Sequence, residues 1–136
     1  QSNKVKTAIT LFDVFHTLDR EKIAREFSKY KNLLINKKIF LQINIGKEKT
    51  KSGIHPEETK DFLYFLKTEM KISISGLMCI PPISEDPTYY FTKLKLLATE
   101  NKINELSIGM SNDYETALKF YPKYIRLGTI LFGKRT

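Results

Sequence analysis

Two kinds of hydrophobic pattern alternate along the chain. Short runs rich in β-branched and aliphatic residues occur at Leu11 to His16, Ile39 to Ile45, Ile72 to Ile80, Glu105 to Gly109 and Tyr124 to Leu127, and each predicts a strand. Between them lie stretches whose apolar residues recur three and four apart. In the first, Ile23, Ala24 and Phe27 share a face, Arg20-Glu21-Lys22 open the segment, and Asp19 is the expected N-cap. Pro56-Glu57-Glu58 supply a helix-start proline and an acidic first turn to a second helix, marked by Phe62, Leu63, Phe65, Leu66 and Met70. Pro87 starts a third, with Tyr90, Phe91, Leu94 and Leu97 along one side. Ser111 is the expected cap of a short fourth helix carrying Tyr114, Ala117, Leu118 and Tyr121.

The predicted order is strand then helix, four times over, ending on a fifth strand. Repeated units of this kind argue for a parallel sheet, because a parallel strand needs a crossover to return to the starting edge. The run Ile39-Phe40-Leu41-Gln42-Ile43-Asn44-Ile45 is taken as apolar on both faces and predicts a sheet covered on both sides. Five strands fit an open doubly wound sheet or part of a (β/α)8 barrel. Glycine and polar residues gather just past strand C-termini, at His16-Thr17-Leu18-Asp19, Asn44-Ile45-Gly46, Lys51-Ser52-Gly53, Gly109-Met110-Ser111 and Gly128-Thr129. This favours the barrel, and in both architectures that end carries the ligand. The expected fold is therefore α/β, a partial (β/α)8 TIM-type barrel forming a single domain over residues 1–136.

Composition trims the alternatives. At 136 residues and 41% hydrophobic, the chain is one domain or a piece of one; disorder, collagen and coiled coil are excluded. No apolar run approaches the ~18 residues of a membrane span, and the lone Cys79 cannot form an internal disulfide. A soluble, cytoplasmic protein is expected. The formal charge is +8, from 23 basic against 15 acidic residues. Only Arg20, Arg25, Arg126 and Arg135 are arginine, leaving 19 lysines that mostly stand singly between apolar positions. A nucleic-acid face would cluster its charge and use more arginine, so the excess predicts a solvated lysine-rich surface with a general attraction for anions. His16, His55 and Cys79 lack zinc-ligand spacing, and neither G-x-G-x-x-G nor a Walker-type run occurs.

The chemistry concentrates in the last third. Leu106 to Asp113 and Tyr124 to Gly133 each contain a strand ending in a glycine and a hydroxyl, followed by a segment able to start a helix. Glycine lets an anion approach the backbone, and the unpaired N–H groups of a helix start point at it. Loops after the last strands of a barrel are a recurrent phosphate site. Gly109, Ser111, Gly128 and Thr129 are the candidates, with Ser111 and Thr129 adding hydroxyl donors.

Six blocks in order carry a resemblance. They are Gln1-Ser2-Asn3-Lys4; Phe15-His16-Thr17-Leu18-Asp19-Arg20; Gln42-Ile43-Asn44-Ile45-Gly46 with Lys51-Ser52-Gly53; Gly76 to Pro82; Leu106 to Asp113; and Arg126-Leu127-Gly128-Thr129 through Phe132-Gly133-Lys134-Arg135. Over its whole length the chain resembles the pyridoxal 5'-phosphate homeostasis proteins, the YggS/PROSC group, whose fold is the barrel also found as the N-terminal domain of alanine racemase. The resemblance implies pyridoxal 5'-phosphate as cofactor, with Ser111, Gly128 and Thr129 on its phosphate and Arg126 facing the pyridine nitrogen. A guanidinium only donates hydrogen bonds and stays charged, so it serves an unprotonated ring nitrogen. A neutral ring is a weak electron sink, which suits a carrier, or at most racemase-like chemistry, over transamination. Met78 and Asn44 would line the barrel mouth, and Lys51 would reach the ligand from a loop.

The implied role is to hold and deliver the cofactor inside the cell, without catalysis of its own, to pyridoxal phosphate-dependent apoenzymes. Two alternatives stand beside it: an amino-acid racemase-like enzyme of fold type III, and a basic barrel binding phosphosugars or nucleic acid. The family's covalent lysine sits in an alanine-valine-serine-lysine context that is absent here. The chain is accordingly expected to lack the N-terminal part of the barrel, and the exposed edges to make it self-associate, although the family is expected to be mostly monomeric.

Overall fold

The computed structural model describes residues 2–134, so Gln1 and Arg135 of the first and last blocks lie outside the described residues. Five strands form one sheet in the order β1-β2-β3-β4-β5, every neighbouring pair parallel: β1 Val14–Leu18, β2 Lys38–Ile43, β3 Gly76–Cys79, β4 Glu105–Met110 and β5 Tyr124–Arg126. Strand order that follows chain order, with no reversal, is an arc of a barrel; a doubly wound sheet would switch direction part-way. Right-handed crossovers that always advance the same way place their helices on the same side. The structure is thus the partial (β/α)8 barrel that the sequence predicts.

The hydrophobic core lies on that outer side. It joins Ile39, Leu41 and Ile43 of β2, Leu77 and Cys79 of β3, and Leu106 and Ile108 of β4 to the helices. Helix α2 (Glu21–Ser28) contributes Ile23, Ala24 and Phe27, and α4 (Pro87–Glu100) contributes Tyr90, Phe91, Leu94 and Ala98. Phe91 and Leu94 are wholly buried, each worth about 1.5–3 kcal/mol of transfer free energy. Pro87 stands in the first turn of α4, and the preceding Asp86 accepts a hydrogen bond from the Thr88 N–H at 2.9 Å. The other helices are α1 (Val5–Leu11), α3 (Thr59–Phe65), α5 (Tyr114–Leu118) and a short α6 (Thr129–Phe132). A 3₁₀ turn at Pro56–Glu58 leads into α3, and a π turn at Leu66–Met70 follows it.

Several sequence expectations are corrected. The first strand runs over Val14–Leu18, not Leu11 to His16, because Leu11 closes α1, whose Val5 and Ile9 lie one helical turn apart and are buried. That helix is hidden in the sequence by its own β-branched residues, Val5, Thr7, Ile9 and Thr10. Only Gly76–Cys79 of Ile72 to Ile80 is strand. Asp19 does not cap α2: Arg20 occupies that position, and the Asp19 carboxylate pairs with the Arg20 guanidinium at 2.6 Å. Ser111 does not cap α5, which begins after Asp113, and Tyr121 lies beyond the end of that helix with a positive φ of 54°.

The expectation of two apolar sheet faces holds only in part: Phe40 and Met78 are buried on the inner face, but Lys38 and Gln42 share it and are half-exposed. In β2 the residues alternate: Ile39, Leu41 and Ile43 face the helices, while Lys38, Phe40 and Gln42 lie on the other face with their register neighbours Gly76 and Met78. That inner face is the barrel side. Gly76 has a specific reason to be glycine, since a Cβ there would fall 2.2 Å from Cε1 of Phe40. Its absence lets the Phe40 ring lie down over the sheet.

Candidate functional site

The C-terminal ends of β4 and β5 open into a groove of about 980 Å³ lined by Met110, Ser111, Arg126, Gly128, Thr129 and Lys134, among others. Its upper wall is built from two loops pinned together: the Ser111 Oγ accepts a hydrogen bond from the Ile130 N–H at 3.1 Å. Ser111 therefore ties the turn after β4 to the first turn of α6. Gly128 and Thr129 are exposed, and the position where a Gly128 Cβ would stand has no atom within 4 Å. Among the described residues, no acceptor pairs with the N–H of Gly128 or Thr129. Two free backbone donors, an open approach and two hydroxyls make this an anion-accepting corner.

Arg126 ends β5 and turns back over the inner face. Its Nη1 donates to the Ser107 Oγ at 2.6 Å and its Nη2 to the Cys79 carbonyl at 3.1 Å. A guanidinium has five N–H donors, so three remain for a ligand at the mouth. Burial lowers its pKa from the ordinary value, but an arginine in contact with a carbonyl and a hydroxyl keeps its charge. Ser107 is completely buried and also lies 2.8 Å from His16 Nδ1. The His16 ring stacks on Phe40, centroids 5.2 Å apart, and meets the edge of Tyr124 at the same distance. Burial, and then the nearby Arg126 charge, push the His16 pKa below its usual 6.5. At the far end of this face Lys38 and Glu105 form an ion pair.

The other predicted site residues fall in different places. Gly109 packs rather than lines the groove: it has a φ of 92°, and a Cβ there would come 2.7 Å from the Ala117 Cβ. Met78 is on the inner face, buried between the β2 and β4 strands and in register with Ser107. Asn44 has its amide engaged: Nδ2 donates to the Glu48 and Lys51 carbonyls, and Oδ1 accepts from the Glu48 N–H. It holds the loop that carries Lys51. Lys51 pairs with Glu48 at 2.6 Å and donates to the Pro81 carbonyl at 3.2 Å, bridging the loops after β2 and β3.

Ser107 is not among the residues that the sequence marks for the site, and His16 is marked there only as part of the polar cluster at the end of the first strand. The signal was available in the two-residue alternation of the strands, which puts Met78, Ser107 and Tyr124 in one row across the inner face. Cys79 is buried and its thiol is pushed up to about 12, so it remains protonated and unreactive. Among the described residues there is no cluster of three His, Cys, Asp or Glu side chains able to hold a metal. No helix among them is long and apolar enough to cross a membrane.

Comparison with known proteins places this geometry. The model of the family described as alanine racemase, N-terminal domain, matches residues 1–136. The chain belongs to that family. Within it, the chain is 36% identical over 146 residues to the pyridoxal phosphate homeostasis protein of Aquifex aeolicus, covering 99% of this chain and 64% of that protein. The protein of the same name from Pasteurella multocida is 34% identical, with 99% and 63% covered. The chain thus spans a little under two thirds of the length of these curated relatives. Among solved structures, PipY of Synechococcus elongatus without PLP superposes with a TM-score of 0.85 at 30% identity, covering 98% of this chain and 67% of PipY. PipY with PLP bound superposes at 0.78, with 98% and 66% covered. Alanine racemase from Acinetobacter baumannii, at 15% identity and a TM-score of 0.77, shares the fold, covering 99% of this chain and 40% of the racemase.

Proposed function

We propose that this chain binds pyridoxal 5'-phosphate as part of a protein that stores and delivers the cofactor. The observation that carries the proposal is the pairing of an anion-accepting corner at Ser111, Gly128 and Thr129 with the Arg126 guanidinium two residues before Gly128. One end suits a phosphate dianion. The other offers spare donors to a ring nitrogen. The relatives named for pyridoxal phosphate homeostasis, and PipY solved with PLP, support the same assignment.

The residues present fit the group. The unpaired N–H groups of Gly128 and Thr129 would hold the phosphate, with the Thr129 hydroxyl beside them, and Ser111 holds the corner in shape. Arg126 would orient the ring and keep its nitrogen unprotonated, because it has donors to give and no lone pair to accept with. When bound, the cofactor would supply an electrophilic aldehyde; a ring held neutral draws electrons weakly, which suits a carrier, or at most racemase-like chemistry, over transamination. Met78 would lie beneath the ring as an apolar floor. Asn44 and Lys51 act through the loop at the mouth, and Gly109 acts by letting α5 pack closely.

The proposal extends to a non-catalytic role in the cytoplasm, with pyridoxal phosphate-dependent apoenzymes as recipients. The relatives named for pyridoxal phosphate homeostasis support the first, and the lone cysteine agrees with the second. An absorbance titration with pyridoxal phosphate, repeated in the presence of inorganic phosphate, tests it. Saturable binding weakened by phosphate competition is expected. Absence of saturable binding would overturn the assignment.

A further inference from the structure

The inner face of the sheet carries a hydrogen-bonded chain that the phosphate corner does not use. Arg126 on β5 donates to Ser107 on β4, and Ser107 lies within 2.8 Å of His16 Nδ1 on β1, so the chain ties the last strand to the first. We propose that Ser107 and His16 are positioning residues for Arg126, holding the guanidinium at the angle in which its unused donors face the ring end of the ligand. This rests on the pyridoxal phosphate assignment above.

Proton accounting decides the direction of the chain. Arginine can only donate, so the bond from Nη1 uses a lone pair of the Ser107 oxygen. Ser107 has one proton of its own and no solvent to give it to, because it is completely buried. The neighbouring acceptor is His16 Nδ1. His16 must therefore be neutral with its proton on Nε2. An imidazolium would put two donors and a second cation against Arg126, and both burial and the Arg126 charge disfavour it. Phe40 and Tyr124 fix the imidazole plane from two sides, one stacked and one edge-on. The ring is thus held by aromatic contacts, the hydroxyl by the ring, and the guanidinium by the hydroxyl and the Cys79 carbonyl.

The chain has a second consequence. Ser107 is wholly buried and polar, and such a group is tolerated when both its donor and its acceptor capacity are used. Removing His16 Nδ1 leaves the hydroxyl proton without a partner. Removing the hydroxyl leaves one guanidinium N–H buried and unpaired. Either change should move Arg126, while leaving the phosphate corner, which sits beyond it on the loops, in place.

The test compares two probes on the parent chain and on Ser107→Ala, His16→Leu, His16→Asn and Arg126→Leu variants. Inorganic phosphate reports the corner alone; pyridoxal phosphate reports the corner and the ring end. Ser107→Ala and His16→Leu should each weaken pyridoxal phosphate roughly tenfold, the scale of a lost bond to a charged group, with phosphate affinity unchanged. His16→Asn, whose side-chain oxygen can take the place of Nδ1 as acceptor, should restore most of the loss. Histidine nitrogen spectra of the parent at pH 7 should show a bare Nδ1 and a protonated Nε2.

A protonated Nδ1 overturns the chain. Loss of phosphate and pyridoxal phosphate affinity together in Ser107→Ala, or loss of neither while Arg126→Leu weakens pyridoxal phosphate, overturns the positioning role. A parent chain that binds phosphate but gains nothing from the pyridoxal ring, with Arg126→Leu indistinguishable from it, instead overturns the functional assignment and with it the positioning role. The nitrogen spectrum then still decides whether the chain itself exists.

Discussion

Arg126 and Thr129 lie only three positions apart, yet the proposed site gives them different work, and single substitutions separate them. Arg126→Leu and Thr129→Ala should each weaken pyridoxal phosphate by roughly tenfold, the first through the ring end and the second through the phosphate. Lys102→Ala, on an exposed turn after α4, should leave the affinity unchanged. Equal effects from all three, measured by absorbance titration, would remove the specific site and leave only general attraction to a basic surface. His16 carries a prediction about acid. Its pKa is depressed in the folded chain from an ordinary 6.5, so below that pH the unfolded chain takes up a proton first. Stability should fall as pH drops below about 6.5 until the folded chain is protonated as well, and His16 should add no pH dependence above about 6.5. In urea titrations the parent should therefore lose more of its midpoint between pH 7 and 5 than His16→Asn does.

The elements were legible where pattern and punctuation agreed. Helix α4 is the clearest case: Pro87 in its first turn, Asp86 before it, and Phe91 and Leu94 three apart on the buried side all say the same thing. Asp86→Ala should lower the thermal midpoint by removing the acceptor for the Thr88 N–H. Phe91→Ala should cost about 3–5 kcal/mol in a denaturant melt, because it empties a site with no solvent access. Where the signals conflicted the pattern misled. Helix α1 uses Val5, Thr7, Ile9 and Thr10, residues that favour strands, and is helical because Val5 and Ile9 pack while α1 rests on α2. Gly109 shows the same limit in the site: its place beside Ser111 suggested ligand contact, whereas its positive φ and the 2.7 Å approach to Ala117 call for glycine. Gly109→Ala should cost at least about 1 kcal/mol and act on stability before it acts on binding.

At the scale of the whole molecule, the arc has two edges. Among the described residues β1 and β5 each pair on one side only, and Leu131 and Phe132 beside β5 are 66% and 86% exposed. Unpaired backbone and apolar side chains at the same edge favour association. The thermal midpoint of this chain should therefore rise with protein concentration, as mass action requires when the folded form associates. A monodisperse monomer with a concentration-independent midpoint would exclude it. The charge of +8 opposes such association, so the dependence should be steeper in high salt.

Sequence alone determined the parallel order of strands and helices and the barrel class, because both are written in local periodicity, and the glycine and hydroxyl residues just past the strands supplied the proposed ligand end. It also pointed to Ser111, Gly128 and Thr129 just past the ends of β4 and β5, and the family resemblance added Arg126 at the end of β5. Only the tertiary structure decided that β2 turns one face to the helices and one to the barrel, that Ser111 ties two loops together instead of capping a helix, and that Asn44 serves its own loop. It alone joined His16, Ser107 and Arg126, which are 91 and 19 residues apart along the chain. Such contacts depend on strand register and the curvature of the sheet, properties of the assembled arc that no window along the sequence contains.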